Sequence, residues 1–233
     1  MDKTSYIRSV FSKIPQYYDV MNDAMSLGMH RIWKRRLVAK VNIINKGNYL
    51  DLSTGSGDIA KLILQKTNFF NISIICADPD ADMLKKAEIK LIDHGFVKNI
   101  SFVQTAAEKM PFENGIFDVV TLSFGLRNFS DICHGLSEIF RVLKPGGKLY
   151  CLEFSPKVKS DILQKLYNGY LNILPKIGKI IAKDQDSYEY LSNSIKDFQT
   201  KEEISDILQK IGFSVDVEEL SNGICSIFIA QKK

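Results

Sequence analysis

The stretch Asp51–Asp58 reads Asp-Leu-Ser-Thr-Gly-Ser-Gly-Asp, and it separates an apolar lead-in from the apolar run Ile59–Leu64. This order predicts a β-strand, a tight glycine turn and an α-helix, which lets backbone N–H groups approach a ligand at a helix N-terminus. Asp78 follows Gly57 by 21 residues, directly behind the apolar run Ile72–Ala77. A carboxylate there can accept hydrogen bonds from both hydroxyls of a ribose. The stretch therefore predicts a site for an adenosine-containing cofactor.

The rest of the chain alternates strand-like and helix-like segments, as a parallel α/β sheet requires. We expect strands near 48–52, 72–77, 100–104, 117–123 and 147–154, and helices near 57–66, 80–93 and 131–142. Lys144–Gly147 predicts a turn before the fifth strand. After a helix near 201–211, the alternating segments 213–218 and 224–229 flank Asn222–Gly223 and predict a hairpin. The expected fold is a seven-stranded, mostly parallel sheet with helices on both faces and an antiparallel last strand.

Two further segments complete what we interpret as a single domain over 1–233. Residues 1–45 predict a helical cap or lid, in which His30–Val41 has helical spacing of apolar residues. Residues 157–197 predict an inserted helical segment on the substrate side. Within it, Leu163–Ile181 has lysines interleaved among Leu and Ile, so it either caps the core or rests on a membrane surface.

Composition excludes several classes of protein. The formal charge of +4 over 233 residues does not predict nucleic-acid binding. The four cysteines form no CxxC and the three histidines form no ligand cluster, so we expect no metal, buried thiols and a reducing compartment. The N-terminus lacks a signal-peptide core, and no run reaches the roughly 18 apolar residues of a membrane span. We expect a cytoplasmic protein, with peripheral contact at the inner membrane surface as an option.

The glycine turn alone leaves the cofactor open. Gly55-x-Gly57-x-x-Ala60 fits a loose dinucleotide fingerprint, and a turn without any ligand also fits. Asp51 at the strand end would repel a pyrophosphate but suits a cationic or zwitterionic ligand. The terminal hairpin replaces a second nucleotide-binding half, and Ala106–Ala107 behind the third strand would let an adenine ring approach. These features favour a sulfonium cofactor over NAD.

Together these features resemble the Rossmann-like class I S-adenosylmethionine-dependent methyltransferases, and longer segments narrow the resemblance. The chain is similar, from about residue 8 to 230, to the ubiquinone/menaquinone biosynthesis C-methyltransferase family. The segments that carry the similarity are 11–23, 25–34, 123–128, 143–147, 186–195 and 212–224, of which 11–23, 123–128 and 186–195 are specific to the family. The resemblance implies C-methylation of a polyprenylated demethyl-benzoquinol, a demethylmenaquinol or both, with S-adenosyl-L-methionine as cofactor.

Departures from the family pattern at Ser56, Thr54 and Ala106 bear on the cofactor site. Ser56 stands where the family has Thr, and it keeps a hydroxyl for the cofactor. Thr54 replaces a glycine, so we expect strain if that position needs a positive φ. Ala106 replaces a common Asn or Asp, which removes one side-chain hydrogen bond to the adenine.

The predicted site residues follow from these segments. For the cofactor we expect Asp51, Gly55, Ser56, Gly57, Asp78, Ala106, Ala107 and Ser123. For catalysis we expect Arg127, Asn128 and His30, and for the substrate ring Tyr17, Tyr188 and Tyr190. Arg127 stays charged, so we expect it to stabilise a developing phenolate; the alternative is that it forms a surface salt bridge. We expect His30 to take part in proton transfer; the alternative is that its imidazole has only a structural role.

Other functions remain open at this point. The chain could methylate another phenolic or lipid substrate, although segments 11–23 and 186–195 argue against it. Thr54 and Ala106 also fit a non-catalytic cofactor-binding subunit of a quinone-synthesis assembly. An NAD-dependent reductase is the remaining alternative. The expected partners are a polyprenylated quinol and, beyond it, a second copy of the chain or a quinone-biosynthesis complex.

Overall fold

The structure is a computed structural model, and it describes residues 23, 26–67, 72–181 and 185–233. The helices in these ranges are α1 (His30–Lys40), α2 (Asp58–Lys66), α3 (Ala81–Asp93), α4 (Ile132–Val142), α5 (Asp161–Ile181), α6 (Gln185–Lys196) and α7 (Lys201–Ile211). The strands are β1 (Gly47–Leu52), β2 (Ile72–Asp78), β3 (Ile100–Gln104), β4 (Phe117–Ser123), β5 (Leu143–Phe154), β6 (Phe213–Leu220) and β7 (Cys225–Lys232).

The seven strands form one sheet in the order β3-β2-β1-β4-β5-β7-β6. The pairs β3-β2, β2-β1, β1-β4 and β4-β5 are parallel, whereas β7 runs antiparallel to both β5 and β6. The expected mostly parallel sheet with an antiparallel last strand is therefore confirmed. The central strands are apolar because helices cover them on both faces.

Two apolar layers enclose the sheet. One layer joins α1, α2, α5 and α6 to one face, through residues that include Leu37, Ile63, Leu171 and Leu191. The other joins α4 and α7 to the opposite face, through residues that include Leu136 and Leu208.

The helix ends follow from local chemistry. Asp80 accepts hydrogen bonds from the N–H groups of Asp82 and Met83 and so begins α3. Asp131 accepts one from the N–H of His134 at the start of α4. Thr200 and Glu203 form a reciprocal capping box at the start of α7.

The predicted turn at Lys144–Gly147 lies inside β5 rather than before it. Leu143 already pairs with Phe117, and the register then shifts so that Lys148 pairs with Val119. The extra residues leave the ladder as a bulge in which Gly146 has a φ of 78°. A turn is thus present where the sequence predicts one. Because strand pairing occurs both before and after it, β5 begins at residue 143 rather than at the expected 147.

The cap segments are described only in part. The predicted helix at 30–41 is present as α1, whereas residues 1–22 lie outside the described residues. The indole N–H of Trp33 on α1 donates to the Ser221 hydroxyl at 3.0 Å, and its ring lies edge-on to Phe154, with centroids 5.8 Å apart. These contacts hold α1 over the ends of β5 and β7.

Helix α5 has a buried and an exposed face. Tyr167, Leu171 and Leu174 are buried, whereas Ile162 and Leu166 are exposed on either side of Lys165 and Gln164. In the described parts of the chain, every helix falls short of the length or the apolarity that a bilayer-spanning segment requires. Contact of α5 with a membrane surface stays a prediction.

The thiols differ from expectation at one position. Cys76, Cys151 and Cys225 are buried and free, as expected, but Cys133 is exposed. It lies on the solvent side of α4, where an apolar residue is not needed for packing.

Candidate active site

The site lies at the carboxyl ends of β1, β2, β4 and β5. The chain leaves β1 towards β2 and β3 on one side and returns to β4 on the other. Ligands bind at such a reversal of strand order because the loops on its two sides diverge and leave a crevice. The strand ends here place Asp78 and Ser123 on either side of the glycine turn.

The glycine turn has the conformation that the sequence predicts. Gly57 has a φ of 79° and ends the turn where α2 begins. A Cβ on Gly57 would lie 3.0 Å from the Cβ of Ala87, so the turn packs against α3 at a point where no side chain fits easily. The N–H of Gly55 donates a 2.9 Å hydrogen bond to the Asp78 carboxylate, which ties the turn to β2.

The carboxylate of Asp51 lies beneath this turn and is 1% exposed. It accepts hydrogen bonds from the hydroxyls of Thr54 (2.6 Å) and Thr121 (2.8 Å) and from the N–H of Ala60 (3.2 Å). Burial raises the pKa of Asp51 to about 6 even though these hydrogen bonds lower it. Asp51 therefore holds the turn, the start of α2 and β4 together, and direct contact with a cofactor stays a prediction.

Thr54 carries no backbone strain, because the condition for it, a positive φ at that position, is not met. The residue with positive φ is its neighbour Ser53, at 50°, and Thr54 is not among the positive-φ positions of the described chain. The Thr54 side chain is free to point inward, where its hydroxyl reaches Asp51. The departure from the family pattern thus adds a hydrogen bond under the turn.

Asp78 ends β2 with a buried carboxylate. It accepts hydrogen bonds from the N–H groups of Gly55 at 2.9 Å and Asp80 at 3.0 Å. Burial raises the pKa of Asp78 to about 6, although these two hydrogen bonds act to lower it. Two carboxylate oxygens offer about four acceptor positions, so Asp78 can still accept from two further donors such as ribose hydroxyls.

An ion network fixes the turn from the side of α1 and α3. Lys90 donates to the hydroxyl of Ser56 at 3.0 Å and to Asp58 at 2.8 Å, while Lys34 donates to the other Asp58 oxygen at 2.9 Å. Burial alone would raise the pKa of Asp58, but the charges of Lys34 and Lys90 hold it well below its usual range. Because the Ser56 oxygen accepts from Lys90, its own O–H is oriented as a donor.

His30 is buried beside this network. Its Nδ1 lies 2.9 Å from the Ser26 hydroxyl and 3.6 Å from the Asp23 carboxylate. It lines a cavity of about 280 Å³ together with Lys34 and Asp58. Burial, and then the charge of Lys34, lower the pKa of His30, which keeps the ring neutral at pH 7. This placement fits the structural interpretation of His30, and its part in proton transfer stays a prediction.

The residues expected around the adenosine lie near the strand ends. Ala107 is buried and Ala106 is half-buried in the loop after β3, and the Thr105 N–H donates to the Asp78 carbonyl at 3.1 Å. Among the described residues, the buried hydroxyl of Ser123 has no hydrogen-bond partner. An unpaired buried hydroxyl is costly, so its position suits a polar ligand. With the glycine turn and Asp78, it makes the site a good fit for S-adenosylmethionine.

The loop after β4 meets the glycine turn closely. Phe124 has a φ of 58°, a conformation that costs energy for a bulky residue. A Cβ on Gly125 would lie 2.6 Å from the Cβ of Ser53, so only glycine fits there. The strained loop is therefore pressed against the turn, which brings its next residues to the crevice.

Arg127 lies in that loop and is buried, contrary to the alternative of a surface salt bridge. Its Nη1 donates to Glu153 at 2.8 Å and to the Phe124 carbonyl at 2.7 Å. Its backbone N–H donates to the second Glu153 oxygen at 3.2 Å, and its guanidinium lies 5.6 Å from the centre of the Phe154 ring. The guanidinium is thus held rigidly at the ends of β4 and β5. Its action on a substrate stays a prediction.

Asn128 joins this loop to α6. Its side-chain oxygen accepts a 2.9 Å hydrogen bond from the Tyr190 hydroxyl, so two residues from separate predicted segments meet. Tyr188 packs instead into the core, with Gly178 of α5 directly against its ring. Tyr17 lies outside the described residues. Substrate contacts of these tyrosines stay predictions.

Sequence reasoning missed the residues that support the site. Glu153, Thr121 and Lys90 each reach a site residue across more than 25 positions of sequence. The signal for Glu153 was a lone charge at the end of the apolar run Leu149–Phe154, since such a charge is rarely buried without a partner. Thr121 and Lys90 gave no comparable signal.

Solved structures with the same fold define the class. A SAM-dependent methyltransferase from Aquifex aeolicus superposes with a TM-score of 0.67 over 94% of this chain and 98% of that chain, at 16% sequence identity. The cyclase SpnF superposes with a TM-score of 0.65 over 87% of this chain and 81% of that chain, at 16% identity. The fold is that of the class I S-adenosylmethionine-dependent methyltransferases, and the cyclase shows that the fold alone does not fix the reaction.

The family follows from the sequence itself. The model of the ubiE/COQ5 methyltransferase family matches residues 1–232, so the chain belongs to that family. It is 43% identical to the ubiquinone/menaquinone biosynthesis C-methyltransferase UbiE of Rickettsia bellii, over 99% of this chain and 94% of that protein. It is 40% identical to the UbiE of Proteus mirabilis, over 97% of this chain and 90% of that protein.

Proposed function

We propose that this protein transfers the methyl group of S-adenosylmethionine to a ring carbon of a polyprenylated quinol. The quinol is a demethyl-benzoquinol, a demethylmenaquinol or both. The observation that carries the proposal is the similarity to UbiE proteins along nearly the whole chain, at 43% identity to that of Rickettsia bellii. The crevice that unites Asp78, the glycine turn and the Arg127 loop supports it from the structure.

The cofactor supplies a methyl group on a sulfonium, which is already a good leaving group. The residues that would hold it are Asp78 for the ribose, the glycine turn for the amino-acid part, and Ala106–Ala107 for the adenine. The hydroxyl of Ser123 provides a further polar contact, since it lacks a partner among the described residues. Asp78 and the glycine turn are held in place by their own hydrogen bonds before a ligand arrives, so they align reactants at little entropic cost.

The substrate ring must be activated by the protein. A ring carbon ortho to a hydroxyl becomes nucleophilic as the hydroxyl loses its proton, and the ring C–H proton leaves after the new carbon–carbon bond forms. Arg127 stabilises the negative charge that develops on the oxygen, and Glu153 keeps its guanidinium in place. Neutral His30 or a water molecule accepts the hydroxyl proton, and the oxygen regains a proton when the ring C–H proton leaves, so one proton is released in all.

The alternative of a non-catalytic subunit depends on the departures at Thr54 and Ala106. Thr54 adds a hydrogen bond to Asp51 without a positive φ, so it does not argue against a working turn. Ala106 removes one side-chain contact but leaves the loop backbone beside Asp78. The two departures therefore favour a catalytic methyltransferase over a non-catalytic subunit.

The test is a turnover assay with labelled S-adenosylmethionine. The purified protein is incubated under reducing conditions with short-chain demethyl-benzoquinol and, separately, with short-chain demethylmenaquinol, and the products are resolved by mass. We expect label on a ring carbon of at least one quinol, and much less label with the Asp78→Ala variant at the same concentration of S-adenosylmethionine. Methyl transfer to neither quinol, in a protein that binds the cofactor, would overturn the proposal in favour of the non-catalytic subunit.

A further inference from the structure

Tyr167 on α5 is a buried tyrosine whose hydroxyl has no hydrogen-bond partner among the described residues. The residue is 7% exposed, so bulk water does not satisfy the hydroxyl. Leaving a hydroxyl buried and unpaired destabilises a fold, whereas phenylalanine would avoid this cost. A tyrosine at such a position needs a reason other than packing.

The Tyr167 side chain lies in the apolar cluster that borders the charged pair of the candidate site, since Arg127 lies over the ring of Phe154 in the same cluster. Tyr167 belongs to the same apolar cluster as Phe124, Phe154 and Cys225, the residues that flank the Arg127 loop and the ends of β5 and β7. The charges of Arg127 and Glu153 both act on its phenol, while burial raises the pKa of Tyr167 well above its usual range. The phenol is therefore protonated and able to donate a hydrogen bond across the working pH range.

A second unpaired hydroxyl lies on the adjoining strand. Ser226 is 1% exposed and has no hydrogen-bond partner in the described chain. It pairs directly with Glu153 in the antiparallel register of β5 and β7, so the two side chains lie on the same face of the sheet. One unpaired hydroxyl thus lies beside Glu153 on β7, and a second, that of Tyr167, belongs to the apolar cluster that borders the same ion pair.

We infer that the Tyr167 hydroxyl is a specificity-determining contact that hydrogen-bonds one ring oxygen of the quinol beside Arg127. This inference rests on the proposed function. A quinol ring carries oxygens on opposite carbons, and a phenol hydroxyl can donate to or accept from either. Helix α5 would then contribute directly to recognition of the ring rather than only cover the core.

The test is the Tyr167→Phe variant, which removes only the hydroxyl. We expect the KM for the short-chain quinol to rise about tenfold, the effect of one lost hydrogen bond, with the KM for S-adenosylmethionine unchanged. The melting temperature of the ligand-free variant should equal or exceed that of the wild type, because no intramolecular hydrogen bond is lost. Quinol binding is also measured directly through Trp33, the only tryptophan of the chain, whose ring contacts Phe154.

Tyr49→Phe is the matched control. The Tyr49 hydroxyl is also buried, but it accepts a 2.8 Å hydrogen bond from the Ile44 N–H. We expect this variant to melt about 2–4 °C lower, with the KM for the quinol unchanged. The two variants therefore separate a ligand contact from a structural hydrogen bond.

Each remaining outcome overturns the inference. A lower melting temperature for Tyr167→Phe with unchanged quinol affinity would show a structural hydroxyl, and no change in either would show that the substrate does not reach it. If the wild type methylates no quinol and none quenches Trp33, the proposed function fails and the inference fails with it. If the wild type methylates a quinol, a negative result with Tyr167→Phe overturns the inference and leaves the proposed function intact.

Discussion

The hydroxyl of Thr54 donates a 2.6 Å hydrogen bond to the carboxylate of Asp51 beneath the glycine turn. Both side chains are almost fully buried, and Asp51 also accepts from Thr121 and from the N–H of Ala60. The carboxylate is thus satisfied by two hydroxyls and one amide, and no cation of the described residues forms an ion pair with it. This arrangement links β1, β4 and α2 at the point where the cofactor is expected.

The first prediction concerns Thr54→Gly, which restores the glycine of the family pattern. We expect it to lower the free energy of unfolding at pH 7 by about 2–4 kcal/mol, through the lost hydrogen bond to a buried carboxylate and the added freedom of the unfolded glycine. Urea denaturation measures the change. Thr54→Ser keeps the hydroxyl and should stay within about 1 kcal/mol of the wild type. A glycine variant as stable as the wild type would contradict the role given to this hydrogen bond.

The second prediction concerns the Asp78 carboxylate, which is expected to bind the ribose of the cofactor. Asp78→Ala removes the acceptor for the ribose hydroxyls and the anchor of the Gly55 N–H. We expect the affinity for S-adenosylmethionine to fall on the order of 100-fold, the loss of two hydrogen bonds to a charged group. Titration calorimetry measures it. Asp82→Ala, at an exposed carboxylate in the first turn of α3, serves as control, and unchanged affinity in Asp78→Ala would remove Asp78 from the site.

The third prediction concerns the pH dependence of stability without ligand. Burial raises the pKa of Asp78 to about 6, above its value of 3.8 outside the fold. Folding therefore favours the protonated carboxyl, so the stabilising contribution is complete below about pH 4 and is lost as the pH rises through about 6. Relative to the wild type, Asp78→Asn should gain up to about 3 kcal/mol between pH 4 and pH 7.

Urea denaturation at pH 4, 5, 6 and 7 measures this difference. Asp58 does not obscure it, because its pKa is lowered and its contribution is lost only towards acid pH, below this window. Asp82→Asn removes a nearby exposed carboxyl and is measured alongside as the control. A difference between Asp78→Asn and the wild type that does not change with pH would contradict the raised pKa of Asp78.

Much of the fold could be predicted from local patterns. The apolar runs of β1, β2 and β4 are long enough to be buried on both faces, and the turn at Asn222–Gly223 fixes the direction of β7. The glycine turn and Asp78 were predictable because their spacing is set by one strand, one helix and the next strand. Each of these signals lies within a few tens of residues and depends on backbone geometry.

The support of the site could not be predicted in the same way. Arg127 and Glu153 are separated by 26 residues, and they meet only because β4 and β5 are neighbours in the sheet. The contact between Lys90 and Ser56 depends on how α3 packs against the turn. Strain at Thr54 was expected only if that position needed a positive φ, and the positive φ falls on Ser53 instead. Pairings across elements depend on tertiary register, which a local pattern does not encode.

The last prediction concerns the Arg127–Glu153 pair itself. Glu153 is fully buried and Arg127 nearly so, and each oxygen of Glu153 accepts a hydrogen bond from Arg127. Removing one partner leaves a buried charge without compensation, so each single variant should destabilise the fold. We expect Arg127→Met, which leaves the Glu153 carboxylate unpaired, to lower the free energy of unfolding by about 3–5 kcal/mol. Glu153→Gln leaves the guanidinium uncompensated but keeps a neutral acceptor, so its effect should be somewhat smaller.

The double variant Arg127→Met, Glu153→Gln carries no buried charge at this position. We therefore expect it to be more stable than the sum of the two single changes implies, with a coupling free energy of about 2 kcal/mol or more by urea denaturation. It should nevertheless lose quinol methylation while retaining affinity for S-adenosylmethionine, because the cofactor residues are untouched. Additive losses of stability would show that the two charges do not depend on each other, and wild-type turnover in the double variant would remove Arg127 from the chemistry.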